Sequence, residues 1–133
     1  MTAVDMTPLA LFGQGRREPY ARALANGVGT LTLRPDTEQD AAPPVTFDVS
    51  NWCDEASPLE ISLLRNLRGP VLDVGCGPGR LLAAAQVIGL TALGIDTSAE
   101  AVHRARGRGA RALEQSIFAP VPHAGQWQSL VLL

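Results

Sequence analysis

Strong charge of either sign is missing from this chain. Its 11 basic and 13 acidic residues leave a formal net charge of −2 over 133 residues. That balance gives no reason to expect broad electrostatic contact with nucleic acid or a membrane surface. Cysteine is scarce: Cys53 and Cys76 are the only two, with no C-x-x-C pair. Neither a zinc site nor a disulfide framework is therefore expected, and a reducing, cytoplasmic setting fits. No stretch reaches the ~18 consecutive apolar residues of a membrane span. Met1 to Phe12 lacks the basic start and apolar run of a secretory signal. The two histidines, His103 and His123, have no clustered partners in sequence, so neither is expected to act as a general base. The rest of the composition is ordinary for a globular protein, 46% apolar and 18% charged. The length suits one sizeable core.

The pattern along the chain divides near residue 56. Residues 1–56 read as an N-terminal extension or cap. Within it, Arg16 to Ala25 has helical composition, with Tyr20 and Leu24 four apart on one face and Asn26-Gly27 as the stop. Thr30–Leu33 and Val45–Val49 are short β-rich runs flanking a loop-like, Pro-containing stretch from Pro35 to Pro44, an arrangement that predicts a small hairpin. Residues 57–133 open with Ser57-Pro58-Leu59-Glu60, a helix start with Ser57 as N-cap, proline at the first turn and Glu60 closing a capping box. Leu59, Leu63, Leu64 and Leu67 follow at helical spacing as an apolar stripe, and Gly69-Pro70 stops the helix.

From Val71 onward strands and helices alternate. Strands are expected at Val71–Val74, Thr91–Ile95, Ala110–Gln115 and Gln128–Leu133, with helices at Arg80–Ile88 and from Ala99 to about Arg106. This alternation predicts βαβ units, a parallel sheet and right-handed crossovers. Ser129 to Leu133 reads as a buried strand with nothing after it. The expectation is a shortened protein lacking its C-terminal strands, or an edge paired with a second copy.

The first strand runs directly into Asp73-Val74-Gly75-Cys76-Gly77-Pro78-Gly79-Arg80. Glycine at every second position permits positive φ and lets a ligand lie against the main chain at a strand–turn–helix junction. The dinucleotide fingerprint G-x-G-x-x-G is not met, because Arg80 stands where its third glycine would pack helix on strand. A P-loop is excluded because no Gly-Lys-Ser/Thr follows. The stretch resembles motif I, D-x-G-x-G-x-G, of class I S-adenosylmethionine-dependent methyltransferases. Asp96 lies 17 residues beyond Gly79 at the end of the second strand. That is a place from which an acid can accept hydrogen bonds from ribose hydroxyls, as acids do at comparable spacing in dinucleotide folds; the plainer reading of a lone acid there is a helix N-cap.

The resemblance covers Ser57 to Leu133. It implies a doubly wound α/β, Rossmann-like sheet, of which this chain carries the 3-2-1-4 half of a seven-stranded 3-2-1-4-5-7-6 order. It also implies S-adenosylmethionine as cofactor and transfer of a methyl group to a small-molecule acceptor. The alternative is a non-catalytic nucleotide-binding or interaction module that keeps the scaffold. The expected cofactor residues are Asp73, Gly75, Cys76, Gly77, Gly79, Asp96, Thr97, Ser116 and Ile117. Asp73 would anchor a cationic group. Ser116 stands where the family usually has an acid for the adenine amino group, so the adenine edge falls to its hydroxyl, to the Ile117 backbone, or to neither. No residue identifies itself as catalytic. Cys76 reads as a small residue suited to a tight turn rather than a reactive thiol. The basic run Arg104, Arg106, Arg108 and Arg111 reads as a solvated helix end. Trp127 reads as core, and Tyr20 and Trp52 as core or as a cover over the ligand.

Overall fold

A computed structural model describes residues 19–34 and 42–133. The elements in chain order are α1 (Pro19–Asn26), β1 (Thr30–Leu33), β2 (Val45–Asp48), α2 (Val49–Cys53), α3 (Pro58–Arg65), β3 (Val71–Val74), α4 (Arg80–Val87), β4 (Ala92–Asp96), α5 (Ala99–Gly107), β5 (Ala112–Glu114) and β6 (Ser129–Val131). Four strands form one sheet in the order β5-β4-β3-β6, and every pair is parallel. This is the expected 3-2-1-4 arrangement. It follows from two successive strand–helix–strand crossovers of the same hand, after which the chain crosses back to the far side of β3.

β3 is central, and its Val71, Leu72 and Asp73 are all buried. A parallel strand covered on both faces should read as a continuous apolar run, and Asp73 is the exception in it. The register sets Asp73 beside Gly94 and Gly94 beside Ala112. The carboxyl ends of β3, β4 and β5 are thereby brought along one rim of the sheet. Leu64, Val71, Leu81 and Val131 form a core that joins α3 and α4 to the strands. Cys76, Leu82, Val102, Ala105 and Ala112 form a second core between α4, α5 and the sheet.

The capping box at α3 is present in full: the Glu60 N–H donates to Ser57 Oγ at 3.2 Å, and the Ser57 N–H donates to Glu60 Oε2 at 2.8 Å. Its leucine stripe is only half used. Leu64 is buried and Leu67 packs beside it, while Leu59 and Leu63 are exposed. The four leucines span a wider arc than the surface α3 meets among the described residues. β6 ends at Val131, with Leu132 and Leu133 exposed beyond it. Trp127 is half-buried rather than core. Its indole N–H donates to the Pro122 carbonyl at 2.9 Å, and its ring lies edge-on to His123 at 6.4 Å.

The N-terminal extension forms the expected hairpin, with β1 antiparallel to β2. The second strand stops one residue early, because the Asp48 carboxylate accepts from the Ser50 N–H and hydroxyl and caps α2. The expected helix start at Arg16–Glu18 and the loop positions 35–41 lie outside the described residues. Tyr20, Ala23, Leu24 and Val49 share a core with Ala101 of α5. Carbonyls at helix C-termini have no partner within the helix and favour cations. Arg104 donates to the Leu24 carbonyl at 2.6 Å, and Arg108 donates to the Cys53 and Asp54 carbonyls at 3.1 and 2.9 Å. The basic run is therefore not simply solvated: two of its members staple the ends of α1 and α2 to α5, and Arg106 donates to the Ala112 carbonyl. Gly27, at φ +72°, makes room for the first staple, because a Cβ there would stand 2.7 Å from Arg104 Nη2.

Arg104→Ala is expected to destabilise the protein by about 1–2 kcal/mol, the scale of a hydrogen bond from a charged donor. Chemical denaturation would measure the loss. Hydrogen exchange would show it as faster opening of α1, with β3 and β4 unchanged.

Candidate functional site

The glycine turn after β3 is fastened to the end of β4. The Gly75 and Cys76 N–H groups donate to the Ile95 carbonyl at 2.8 and 3.0 Å, and the Gly77 N–H donates to Asp96 Oδ2 at 2.8 Å. Gly77 has φ +55° and Gly79 φ +86°, a region that side chains strain to enter. Gly79 is further constrained by packing, since a Cβ on it would sit 2.7 Å from the Ala105 methyl of α5. A glycine outside the motif matters as much. A Cβ on Gly94 would overlap Leu82 and come within 2.7 Å of Cys76 Sγ. Its absence lets Cys76 and α4 settle onto β4.

Two cavities open along the strand rim and meet at Tyr20 and Gly75. The first has a volume of about 360 Å³ and is lined by Asp73, Gly75, Cys76 and Gly77 of the turn region, by Arg80 and Leu81 of α4, and by Tyr20, Phe47 and Trp52 of the extension. The second has a volume of about 310 Å³ and includes Val74, Asp96, Thr97, Gln115, Ser116, Ile117 and Phe118. Of the nine cofactor residues expected from sequence, eight line one lobe or both. Gly79 lines neither and lies against α5. Tyr20 is buried, yet it borders both lobes.

Asp73 is 4% exposed, and among the described residues its Oδ2 has no hydrogen-bond partner. Burial, and then the negative charge of Asp96, push its carboxyl up to about 6. A buried acid that lines a cavity and has one oxygen without a partner suits a cationic guest, which would supply one. Asp96 is half-buried. Its Oδ1 accepts from the Ser98 N–H and its Oδ2 from Gly77, so each oxygen retains a lone pair for a further donor. The α5 N-cap is Ser98, whose hydroxyl accepts from the Ala101 N–H, so Asp96 is not the plain helix cap that was the simpler expectation. The Cys76 thiol is pushed up to about 12, first by burial and then by the charges of Asp73 and Asp96. It packs as a small apolar group and is not poised as a nucleophile. Arg80, in the position that excludes the dinucleotide fingerprint, pairs with Glu60 at 2.7 Å and donates to the Asn51 carbonyl at 3.1 Å.

The positions expected at the adenine edge are more open. Ser116 Oγ accepts from the Phe118 N–H at 3.1 Å, and Ile117 is partly exposed. Gln115, which the sequence did not single out, also lines this lobe and donates to the Pro120 carbonyl at 2.8 Å. Phe47 was missed as well: one aromatic in a short polar strand gives no signal of where it points. His103 and His123 line neither lobe.

Residues 71–123 match the family described as methyltransferase domain. No curated protein matches the chain. Among solved structures, the chain is similar to an S-adenosylmethionine-dependent methyltransferase from Bacteroides fragilis in complex with S-adenosyl-L-homocysteine. The two are 23% identical, with a TM-score of 0.61 over 76% of this chain and 44% of the other. The plantazolicin methyltransferase BpumL, in complex with S-adenosylhomocysteine, is 31% identical over 45% of this chain and 25% of its own, with a TM-score of 0.40. The chain thus spans less than half the length of either. The likeness read from the glycine turn is borne out by the family match, and the Rossmann-like sheet by the first of the structures.

The Asp73 shift has a definite sign. Between pH about 4 and 6 the folded chain holds a proton on Asp73 that the unfolded chain has lost, so this group's contribution to stability falls as pH rises through that window. Asp73→Asn is expected to be more stable than the parent at pH 7, by on the order of 2 kcal/mol, and equal to it near pH 3. Urea denaturation of both proteins across that range would check it.

Proposed function

We propose that this chain is the cofactor-binding part of an S-adenosylmethionine-dependent methyltransferase that acts on a small-molecule acceptor. The observation that carries the reading is the pair of lobes meeting at the glycine turn, with an orphaned buried carboxylate in one and an acid with spare lone pairs in the other. A nucleoside joined to a cationic amino-acid tail has that same polarity. In this reading Asp73 takes the cationic tail, and Gly75 and Gly77 let the ligand approach the main chain. Asp96 accepts from the ribose hydroxyls, Thr97 borders the ribose, and Ser116 and Ile117 meet the adenine edge. Cys76 and Gly79 serve by being small.

S-adenosylmethionine, when bound, supplies a methyl group already activated on sulfur. The protein's part is then to hold the donor and acceptor in line and exclude water. Tyr20, at the junction of the lobes, is placed to cover the ligand. A cation beside Asp73 favours its ionised form, so Asp73 would release its proton as the cation binds below about pH 6. No side chain is assigned as a catalytic base.

Other parts of the proposal rest on less specific features. Both cysteines are unpaired thiols, in keeping with a cytoplasmic protein. Among the described residues no helix is long and apolar enough to cross a membrane. The near-neutral charge favours a small acceptor over nucleic acid. A second copy pairing along the β6 edge would give a homodimer.

Calorimetric titration tests the reading. S-adenosylhomocysteine is expected to bind and NADH is not. Asp96→Ala should weaken S-adenosylhomocysteine by more than about 1 kcal/mol, the scale of a lost hydrogen bond to a charged group. Unchanged affinity in that variant would overturn the ribose assignment. Binding without methyl transfer to any small acceptor would favour the non-catalytic module.

A further inference from the structure

We infer that the face formed by Phe47 and Trp52 in the first lobe is the acceptor subsite, and that it takes a flat, uncharged aromatic or heteroaromatic ring. The inference rests on the cofactor reading above, because it assigns Asp73 to the cofactor and the remaining wall to the acceptor.

The chain holds only three phenylalanines, two tryptophans and one tyrosine. Tyr20, Phe47 and Trp52, half of that supply, line this single lobe. They arrive from three different elements of the extension. In β2 only Phe47 departs from an otherwise exposed pattern and turns inward. The Phe47 and Trp52 rings lie 5.7 Å apart at 35°, and Tyr20 stands edge-on to Trp52 at 6.0 Å and 74°. Phe47 and Trp52 are both half-buried, so the wall keeps an accessible side. Such faces hold flat π systems by stacking or edge contact beyond what apolar area alone provides.

The charges in the lobe narrow the guest further. Among the described residues its charged side chains are Asp73 and Arg80. Arg80 is engaged by Glu60 and the Asn51 carbonyl, and Asp73 answers the cofactor's cation. Among the described side chains no charge is left for the acceptor, so a charged guest would be desolvated here without a partner from them. One polar handle is present: among the described residues the Trp52 indole N–H has no hydrogen-bond partner, and it can donate to a ring oxygen or nitrogen. Leu81 and Leu133 complete the apolar lining.

The test uses 2-naphthol and its saturated counterpart decahydro-2-naphthol, which share a skeleton, a hydroxyl and zero charge but differ in flatness. Each is titrated calorimetrically into the chain, with and without saturating S-adenosylhomocysteine. 2-Naphthol is expected to bind about fivefold or more tighter than the saturated alcohol, the size of one aromatic pair. Trp52→Leu and Phe47→Leu should each remove that preference while S-adenosylhomocysteine affinity stays within about twofold. Trp52→Phe, which keeps a flat face, should retain most of it, which separates loss of the wall from loss of the fold. Equal binding of the two alcohols would overturn the inference. So would a preference that survives both leucine substitutions, or substitutions that weaken S-adenosylhomocysteine as much as 2-naphthol. If the parent chain fails to bind S-adenosylhomocysteine yet shows the full naphthol pattern, the cofactor reading falls and the ring site stands.

Discussion

The hydrogen bond from the Gly77 N–H to the Asp96 carboxylate, 2.8 Å long, is the fastening on which the rest of the site depends. It joins the tip of the glycine turn to the end of the neighbouring strand, across two elements 19 positions apart. The Ile95 carbonyl secures the two residues before it. With the turn held there, Gly79 lies against Ala105, α4 starts in place, and two lobes open on either side of Gly75. The same carboxylate also holds Ser98 through its other oxygen. One acid thus sets the position of the turn, the start of α5 and the floor of the second lobe. Close packing of this kind needs small residues where backbones meet, and Gly94 supplies the space for Cys76 and Leu82.

A second constraint places the outer wall. The described residues before α3 share a core with α5, and arginines seated on their helix ends fix their orientation. Arg104 and Arg108 satisfy carbonyls at the C-termini of α1 and α2, and Arg80 ties α4 to both Glu60 and Asn51. These bonds carry Tyr20, Phe47 and Trp52 to the rim of the sheet. A nearly neutral chain can therefore use its cations locally and structurally, with little long-range field left over.

The features legible in the sequence were those with a local or periodic signature. The glycine turn, the two crossovers and the Ser57–Glu60 capping box follow from patterns within a few residues or from handedness, whereas the order of the four strands is implied by the family resemblance. Asp96 could be singled out because its spacing from the turn is fixed by one helix and one strand. The features not legible were set by partners distant in the chain. Nothing around Arg104 announces the Leu24 carbonyl, and nothing around Gly94 announces Cys76. Phe47 has a meaning only once β1 and β2 pair and α2 brings Trp52 beside it. The leucine stripe of α3 shows the limit of periodicity. It identifies an amphipathic helix correctly, but it does not say how much of the apolar arc a neighbour covers. Trp127 shows the complementary limit, since a large aromatic near a buried strand can rest on a loop histidine instead of entering the core.

The most direct test of this account is a crystal structure of the chain with S-adenosylhomocysteine. The account predicts the ribose hydroxyls donating to Asp96 while the Gly77–Asp96 bond persists, with the ligand's amino group beside Asp73. A ligand bound away from the glycine turn, or one that leaves Asp96 touching only Gly77 and Ser98, would contradict it.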